Sequence, residues 1–492
     1  MVLRARTKFP LHPKLLILGA IVLALFVSAF HSPARAFGAG WFQPVAADEP
    51  KVVAGIQQLR QLKLKKPVPI FHKTRAQAAQ ILLTEIKDDR NAQEQSDARV
   101  AAGMMLGRYH RDRNVKADSV KLYLTQVDAF YDFRKKDMVI LEGGRQAAEQ
   151  MGFRYVSYGD WRDDMILAHE LTHALQDQNF DAGARMMKIG DNSDAALAFK
   201  SLIEGDATLA GFAYVRGGMD ESLADFITAH LTDLPQVSAA KDKNVPDALS
   251  VPFLFQYAEG TAFAREAYRR GGWDSVDAAF RNPPESSAQI IDPELYFDHP
   301  THPLRIKVDG YQKGLAGWNK VLEDTYGELA LRLIMMASFG RDSSQVEVAH
   351  RWAGDRMVVL SHGKDETVIW IVAFNDQQGA SLFANFYRQT LDRVDAPQDV
   401  QSEDDQSSGP IPHDMEQSGN EVLVIAGPGA QQFSALAPAI WQASEMSDPN
   451  QAPVISDDDQ EGYVSRTVGA VRELVRGWLG LDEHRDPLKY NN

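Results

Sequence analysis

Two histidines and a glutamate in the stretch HELTH have the spacing of a metal site that activates water. His169 and His173 are four residues apart, so in a helix their Cβ atoms lie about 5–6 Å apart on one face, where both imidazoles can bind one tetrahedral cation. Glu170 lies about 100° around the helix from His169, where its carboxylate can accept a proton from water on the cation. The neighbouring residues are mostly apolar, and burying these polar groups is costly without compensation. A bound cation is one such compensation, and ordinary polar pairing in a core is the alternative.

A tetrahedral catalytic site needs a third protein ligand, and the chain has no cysteine to supply it. The residues after His173 read ALQDQNF, so the pattern HExxHxxGxxH with a third histidine is absent. Glu204 stands in the largely apolar stretch LIEGDATLA, where an unpaired carboxylate would be costly to bury. Glu259 in QYAEGTA is the rival, although a helix-surface or capping role is the simpler interpretation. Spacing and apolar surroundings favour Glu204.

The stretch HELTH, followed by a downstream helix with the pattern E-x-x-A, resembles the gluzincin zinc metallopeptidases, whose third ligand is a glutamate on a second helix. The longer pattern AHELTHALQDQNFD…LIEGDAT is similar to a group of secreted bacterial metallopeptidases. The resemblance spans roughly residues 131–304, and HELTH is its one highly specific part. It implies zinc bound by His169, His173 and Glu204, with Glu170 as the general base that activates water for peptide hydrolysis.

At the position of the residue that orients a zinc-bound histidine, this sequence differs from the gluzincin pattern. Many gluzincins have an aspartate one turn after the glutamate ligand, and Thr208 stands at that position here. A metal-bound histidine usually donates its second N–H to a carboxylate or carbonyl oxygen. Thr208, a backbone carbonyl or Asp177 could accept it, and the sequence leaves the choice open. Asp206, two residues after Glu204, is predicted to point to another side of the helix.

Peptide hydrolysis also requires a hydrogen-bond donor to the oxyanion, which related peptidases often supply from a downstream histidine or tyrosine. In ELYFDHPTHPLR the candidates are Tyr296, His299 and His302. A proline-rich stretch of this kind is also typical of an exposed turn, and that simpler interpretation is preferred. The strand near VDAFYDF could pair with an extended substrate backbone.

The elements that position these residues are two helices and a strand hairpin. The helix of HELTH is predicted over residues 161–178, and the helix of Glu204 over 194–216. Gly205 and Gly211 each cost the second helix about 1 kcal/mol, which predicts close packing of another element against them. Apolar and β-branched residues on either side of DFRKKD predict a strand, a turn and a second strand.

The predicted fold class is α+β, with two domains. A mostly helical, zincin-like domain is expected over residues 71–317, with helices near its start at 74–89 and around DARVAAGMMLGRYHRD. A small α+β domain follows over 318–445, where DRMVVLSH, ETVIWIVAFN and EVLVIAGP predict strands and ASLFANFYRQTLDRV predicts a helix packed on them. Residues 396–418 are acidic and rich in proline and serine, which predicts a mobile loop. Residues 446–492 predict an acidic tail with a terminal amphipathic helix.

The N-terminus predicts export. Basic residues precede the apolar run LLILGAIVLALFVSAF, and the following ARA offers small residues for cleavage, so residues 1–36 are predicted to be a signal peptide. The run has 16 residues, whereas a spanning helix needs about 20. Retention as a membrane anchor at residues 15–30 is the alternative, and only then is a membrane expected as a partner. Residues 37–70 mix Gly, Pro and short charged runs, which predicts a linker.

The net charge makes nucleic acid an unsuitable partner. The chain carries a formal charge of −15, which becomes −20 without residues 1–36, because these contain five basic and no acidic residues. Binding phosphates requires clustered Lys and Arg.

Taken with the motif and the N-terminal signal, the sequence predicts an exported, zinc-dependent metallopeptidase, periplasmic or extracellular, that acts on peptides or proteins. The alternatives are a non-proteolytic binding or assembly factor that keeps the metal scaffold, and a zinc hydrolase of another amide or ester.

Overall fold

The computed structural model describes residues 50–74, 76–77, 90–111, 113–119, 129–142, 161–219, 247–340, 344–395 and 410–450. Within them, helices and sheets follow one another in separate stretches, which is the α+β class that the sequence predicts. The predicted signal peptide and terminal helix lie outside the described residues, as does most of the helix predicted over 74–89. None of the helices in the described ranges combines the length and apolarity needed to cross a membrane.

The predicted helices and strands around the site are confirmed to within a few residues. The helices are α1 (Pro50–Arg60), α2 (Arg90–Met105), α3 (Trp161–Phe180), α4 (Ala182–Ile189), α5 (Ser193–Arg216), α6 (Asp247–Arg281), α7 (Ser287–Ile291), α8 (Glu294–Phe297), α9 (Gly327–Phe339), α10 (Gln377–Asp395) and α11 (Phe433–Ala443). The strands are β1 (Ile70–Thr74), β2 (Ala129–Asp132), β3 (Asp137–Glu142), β4 (Arg305–Lys307), β5 (Asn319–Asp324), β6 (Trp352–His362), β7 (Asp365–Phe374), β8 (His413–Ser418), β9 (Glu421–Ala426) and β10 (Glu445–Ser447).

The helix α5 is the centre of the helical part of the molecule. It packs against α3 and α6, and α1 also contacts it. Its buried side chains come from every side of the helix, including Phe199, Leu202, Leu209 and Ala213. A helix enclosed on all sides needs no polar face, which explains why this stretch is apolar without an amphipathic pattern.

Two glycines allow the backbones of α3 and α6 to approach α5. A Cβ atom on Gly205 would overlap with the Gly260 carbonyl oxygen on α6, and one on Gly260 would overlap in return with the Ser201 carbonyl oxygen on α5. On the α3 side, a Cβ atom on Gly211 would lie 3.0 Å from the Met165 carbonyl oxygen. The close packing predicted from Gly205 and Gly211 is therefore confirmed, and it fixes the positions of the residues beside them.

The helix α1 lies within residues 37–70, so the linker prediction was wrong for that part. Val52, Ile56 and Arg60 recur every four residues and are buried against the helical core, as an amphipathic helix requires. Pro50 is the first residue of the helix, where the missing N–H costs nothing. Gly55 faces a tyrosine ring of α5 that a side chain would displace. The proline and glycine that suggested a linker are thus compatible with a packed helix.

The hairpin predicted around DFRKKD is confirmed as β2 and β3. The strand β1 pairs in parallel with β3, so the sheet has the order β1-β3-β2, and β2 is its edge strand among the residues that the structure describes. The hairpin packs on α3, where Asp177 accepts one hydrogen bond from the hairpin and forms an ion pair with it. Lys136 Nζ lies 2.6 Å, and the Tyr131 hydroxyl oxygen 3.1 Å, from Asp177 Oδ2. These contacts fasten β2 to the helix that carries HELTH.

The C-terminal sheet is antiparallel, with the order β5-β6-β7-β9-β8. Along β7, Val368, Trp370 and Val372 pack into a core with α2, α9 and α10, whereas Ile369 and Ile371 pack into a second core with β4 and α11. Both faces of the sheet are buried, which explains the continuous apolar runs that predicted β6, β7 and β9. Since α2 and β4 precede residue 318, this sheet packs against the upstream part of the chain.

The strand β8 corrects the prediction of a mobile loop over residues 396–418. Its residues pair antiparallel with β9 at the sheet edge, so the loop prediction was wrong for residues 413–418. Met415 is buried, whereas Asp414 and Glu416 on either side of it are exposed. An edge strand with one solvated face carries charged residues at alternate positions, and these gave the segment the composition of a loop. Residues 396–409 lie outside the described part of the chain.

Candidate metal centre

The helix α3 buries the whole of HELTH. His169, Glu170 and His173 have exposed fractions of 9%, 6% and 5%, and Leu171 between them is also buried. The helix α3 packs against the helices α1 and α5 and the strand β2. Two imidazoles and a carboxylate in such surroundings require partners or a ligand, because an unpaired buried polar group costs several kcal/mol, on the order of 2–7.

Three ligand atoms lie at the corners of a nearly equilateral triangle. His169 Nε2 lies 3.1 Å from His173 Nε2, and Glu204 Oε2 lies 3.3 Å and 3.4 Å from the same two nitrogens. Zinc with nitrogen and oxygen ligands at about 2.0–2.1 Å in tetrahedral geometry keeps these atoms about 3.3–3.4 Å apart. The triangle therefore matches one face of a zinc tetrahedron. Within the described ranges, no other group of three or more His, Asp or Glu side chains brings its ligand atoms within 4.8 Å of one another.

Glu204 reaches the two histidines because of the helix packing around it. It follows directly on Ile203 in the buried core and precedes Gly205, where α5 crosses α6. Gly211 lies further along α5 against α3, and a Cβ atom there would lie 3.5 Å from His169 Cβ. These two helix crossings fix the position of α5 relative to α3, so that the Glu204 carboxylate lies next to the two imidazoles. Glu204 is only 9% exposed.

The electrostatics of the triangle favour a positive charge between its members. Burial opposes ionisation of Glu204, but His173, His169 and Lys200 hold the pKa of its carboxyl well below the usual value. Burial likewise opposes protonation of His173, but the nearby charges of Glu204 and Glu170, together with the hydrogen bond to Gln176, raise its pKa to about 9. A proton, or a metal cation in its place, is therefore stabilised at the centre of the triangle.

Glu170 lies beside the triangle and is not one of its corners. The backbone N–H of Tyr131 on β2 donates a hydrogen bond to its carboxylate. Its Oε2 atom is buried and has no hydrogen-bond partner among the described residues. Burial and the charge of Glu204 raise the pKa of Glu170, whereas His169 and His173 oppose that rise. The hairpin thus binds one oxygen of the buried Glu170 carboxylate, and the other oxygen is available to accept a proton.

Gln176 is the partner of His173, and sequence reasoning missed it. Its Oε1 atom lies 2.9 Å from His173 Nδ1, and its Nε2 atom donates to the Ile203 carbonyl oxygen and to Asp206 Oδ2, both at 2.9 Å. A carbonyl and a carboxylate oxygen only accept hydrogen bonds, so the amide can have only this orientation. His173 Nδ1 must therefore carry a proton, and its Nε2 is the atom that faces Glu204 and can exchange a proton for a metal cation. The only signal in the sequence was the spacing of three residues along one helix face.

Aromatic side chains flank both imidazoles. The ring of Phe133, from the turn between β2 and β3, lies 5.8 Å from that of His173 between centroids. The ring of Tyr257 on α6 lies 6.3 Å from that of His169 and nearly parallel to it, at 26°. These contacts restrict rotation of both imidazoles and so help to preserve the triangle.

The structure does not bring the predicted orienting residues to the histidines. Asp177 instead pairs with Lys136 and Tyr131 and accepts the backbone N–H of Gly183 at 3.2 Å. The Thr208 hydroxyl is buried and hydrogen-bonds none of the described residues. Asp206 does point away from the triangle, as predicted, but it reaches His173 through Gln176.

The other candidates also lie apart from the triangle. His302 pairs with Glu285 at 3.0 Å on an exposed surface, His299 is exposed, and the Tyr296 hydroxyl donates to the Asn282 carbonyl oxygen. These placements agree with the simpler interpretation of an exposed turn. The rival carboxylate Glu259 is half-buried and is not part of the triangle. Burial raises the pKa of Glu259, and the nearby charge of Arg332 opposes that rise.

The family comparison concerns a different part of the chain. Residues 315–437 match a family described as a domain of unknown function (DUF8575). This stretch contains the C-terminal sheet and none of the residues of the triangle. No curated protein and no solved structure matches the chain.

Proposed function

We propose that this chain is a zinc-dependent metallopeptidase of the gluzincin type, with His169, His173 and Glu204 as ligands. The observation that carries the proposal is the triangle of ligand atoms with sides of 3.1, 3.3 and 3.4 Å, formed by two buried helices. Catalytic zinc sites have three protein ligands and one position for water or substrate. The chemistry of the set, two imidazoles and one carboxylate, is the one such sites use.

In this proposal Glu170 is the general base. Zinc in the triangle would polarise a substrate carbonyl and lower the pKa of water, so that water becomes a nucleophile at neutral pH. Glu170 Oε2 accepts a proton from the attacking water and delivers it to the amide nitrogen as the C–N bond breaks. The products are a carboxylate and an amine. The Tyr131 N–H fixes the other oxygen of Glu170 and so orients the carboxylate.

The substrate we propose is a peptide or a protein. The edge strand β2 lies against α3 beside Glu170, and its backbone groups other than the Tyr131 N–H can pair with an extended peptide. The acidic charge of the chain disfavours nucleic acid. We also propose a zincin-like fold for the helical part and export directed by residues 1–36, with an anchor at residues 15–30 as the alternative form.

The proposal is tested by metal content and peptide digestion of the full chain, purified without added metal. We expect about one zinc ion per chain by mass spectrometry and cleavage of internal peptide bonds in a peptide library. Glu170→Gln, loaded with zinc, is the matched control and should leave the library intact. A chain that holds no zinc and takes none up would contradict the metal site.

Two other outcomes distinguish the alternatives. Folded, zinc-loaded protein that cleaves nothing across broad libraries would contradict hydrolysis of peptides and support a binding or assembly factor. Zinc-dependent products from another amide or an ester, without peptide cleavage, would support the second alternative.

A further inference from the structure

Arg60, the last residue of α1, places a guanidinium group inside the helical core. Its side chain is fully buried, and a buried charge requires partners with good geometry. Arg60 Nε lies 2.9 Å from Asp206 Oδ1 on α5, and a terminal nitrogen of Arg60 lies 3.2 Å from Asp206 Oδ2. The guanidinium therefore donates one hydrogen bond to Oδ2 of Asp206 and forms a close ion pair with its Oδ1, and Asp206 is also fully buried.

Arg60 has two more contacts, both on α6. The same terminal nitrogen lies 2.9 Å from Asp277 Oδ1, and the guanidinium carbon lies 4.3 Å from the centre of the Trp273 ring. One guanidinium thus joins three helices and balances the charge of one of two carboxylates. Asp277 is a useful comparison, because it shares Arg60 with Asp206 but does not contact Gln176.

Asp206 connects Arg60 to the metal centre. Its Oδ2 atom accepts from Gln176 Nε2, and Gln176 Oε1 accepts from His173 Nδ1, each at 2.9 Å. The chain of contacts Arg60–Asp206–Gln176–His173 is buried at every member. Its last hydrogen bond keeps the proton on Nδ1 and leaves Nε2 free to bind a cation.

We propose that Arg60 is a positioning residue for the metal centre, acting on His173 through Asp206 and Gln176. The inference rests on the proposed function of the triangle as a zinc site. Loss of the guanidinium leaves the buried Asp206 carboxylate without its cationic partner, so that the side chain shifts toward water. A displaced Asp206 no longer fixes the Gln176 amide, and the orientation of His173 is then less well defined. The helix α1, which carries Arg60, therefore takes part in positioning the zinc ligand His173.

The test measures zinc affinity of the full chain by competition with a chromogenic chelator. Arg60→Lys keeps a charge but lacks the planar guanidinium that reaches both Asp206 and Asp277, and we expect it to weaken zinc binding about 10- to 100-fold, the usual effect of losing an outer partner. Asp277→Asn removes the charge of the other partner of Arg60 and should leave zinc affinity within about threefold of wild type. Thermal unfolding with excess chelator shows how much each variant destabilises the metal-free fold, so that general destabilisation is separated from the effect on zinc.

A double-variant comparison tests the route. If Arg60 acts through Gln176, then Arg60→Lys should have almost no further effect on zinc affinity in a Gln176→Leu background. If Arg60→Lys does not fold, Asp206→Asn keeps the shape but turns one acceptor oxygen into a donor, which then faces a donor of either Arg60 or Gln176, and a loss of zinc affinity is expected from it as well.

Four results separate the inference from the proposed function. Wild-type affinity in Arg60→Lys, or in Asp206→Asn where the first variant does not fold, overturns the inference, and so does full additivity with Gln176→Leu. A wild-type chain that binds no zinc overturns the proposed function and the inference with it. A wild-type chain that binds zinc but hydrolyses nothing overturns only the proposed activity, and the affinity comparison still decides the role of Arg60.

Discussion

Glu204 Oε2 lies 3.3 Å from His169 Nε2, although the two residues belong to different helices. Gly211 brings the backbone of α5 close to α3 beside His169, and Gly205 brings α5 close to α6 beside Glu204. The distance between the two ligand atoms is therefore determined by backbone packing of buried helices. Sites built on packed helices keep their geometry better than sites built on loops.

Glu204→Gln tests the third ligand. The amide has no negative charge, so zinc affinity should fall steeply. Loss of an outer partner lowers zinc affinity about 10- to 100-fold, and we expect the loss of a direct ligand to exceed that. Glu259→Gln on α6 is the matched control and should stay within about threefold of wild type. Chelator competition measures both. A loss in Glu259→Gln but not in Glu204→Gln would mean that the rival carboxylate is the ligand.

Removal of metal should lower the thermal stability of the chain. A ligand that binds only the folded state at a thousand times its dissociation constant stabilises by about 4 kcal/mol. We expect a strong chelator to lower the unfolding temperature of wild type and to leave that of Glu204→Gln almost unchanged. Differential scanning calorimetry with and without zinc measures the difference. An equal effect of chelator on both proteins would show that the stabilising ion binds elsewhere.

The three corners of the triangle could be predicted because their relative positions depend on helix geometry and burial. The spacing within HELTH places His169 and His173 on one helix face wherever that helix lies. Glu204 was found because a carboxylate within an apolar stretch needs a partner. The glycines beside it predicted close helix contacts, and these contacts are present.

The hydrogen bonds around the triangle could not be predicted, because they depend on which helix sides meet. Gln176 would be an ordinary surface amide if α3 were exposed, and only the contact with α5 gives it acceptors at Ile203 and Asp206. In the sequence, Arg60 has the appearance of a charged linker residue. Its partners Asp206 and Asp277 lie far along the chain, and only the packing of the helices brings them to it. Local composition contains no information on such partners.

Glu170→Gln should abolish most hydrolysis while zinc stays bound. The amide cannot accept the water proton, and general base catalysis contributes about 10²–10⁴-fold, so kcat should fall by that factor. Zinc content should remain at the wild-type level, because Glu170 is not a corner of the triangle. Glu416→Gln, on the exposed side of β8, is the control for the same chemical change and should keep full activity. Turnover by Glu170→Gln at the wild-type rate would remove Glu170 from the role of base.

Alanine at Gly205 should destabilise the protein, although alanine is the better helix former. The substitution alone favours α5 by about 1 kcal/mol, but its Cβ atom would overlap with the Gly260 carbonyl oxygen, and forcing a packed core apart costs about 1–3 kcal/mol. Gly211→Ala is the matched comparison on the same helix, since its Cβ atom would lie 3.0 Å from the Met165 carbonyl oxygen and requires a smaller shift. We expect Gly205→Ala to be the less stable of the two in urea unfolding with excess chelator, and below wild type. Because the shift moves α5 beside Glu204, zinc affinity should fall in Gly205→Ala as well. Stability at or above wild type in Gly205→Ala would mean that α5 and α6 do not cross at this glycine pair.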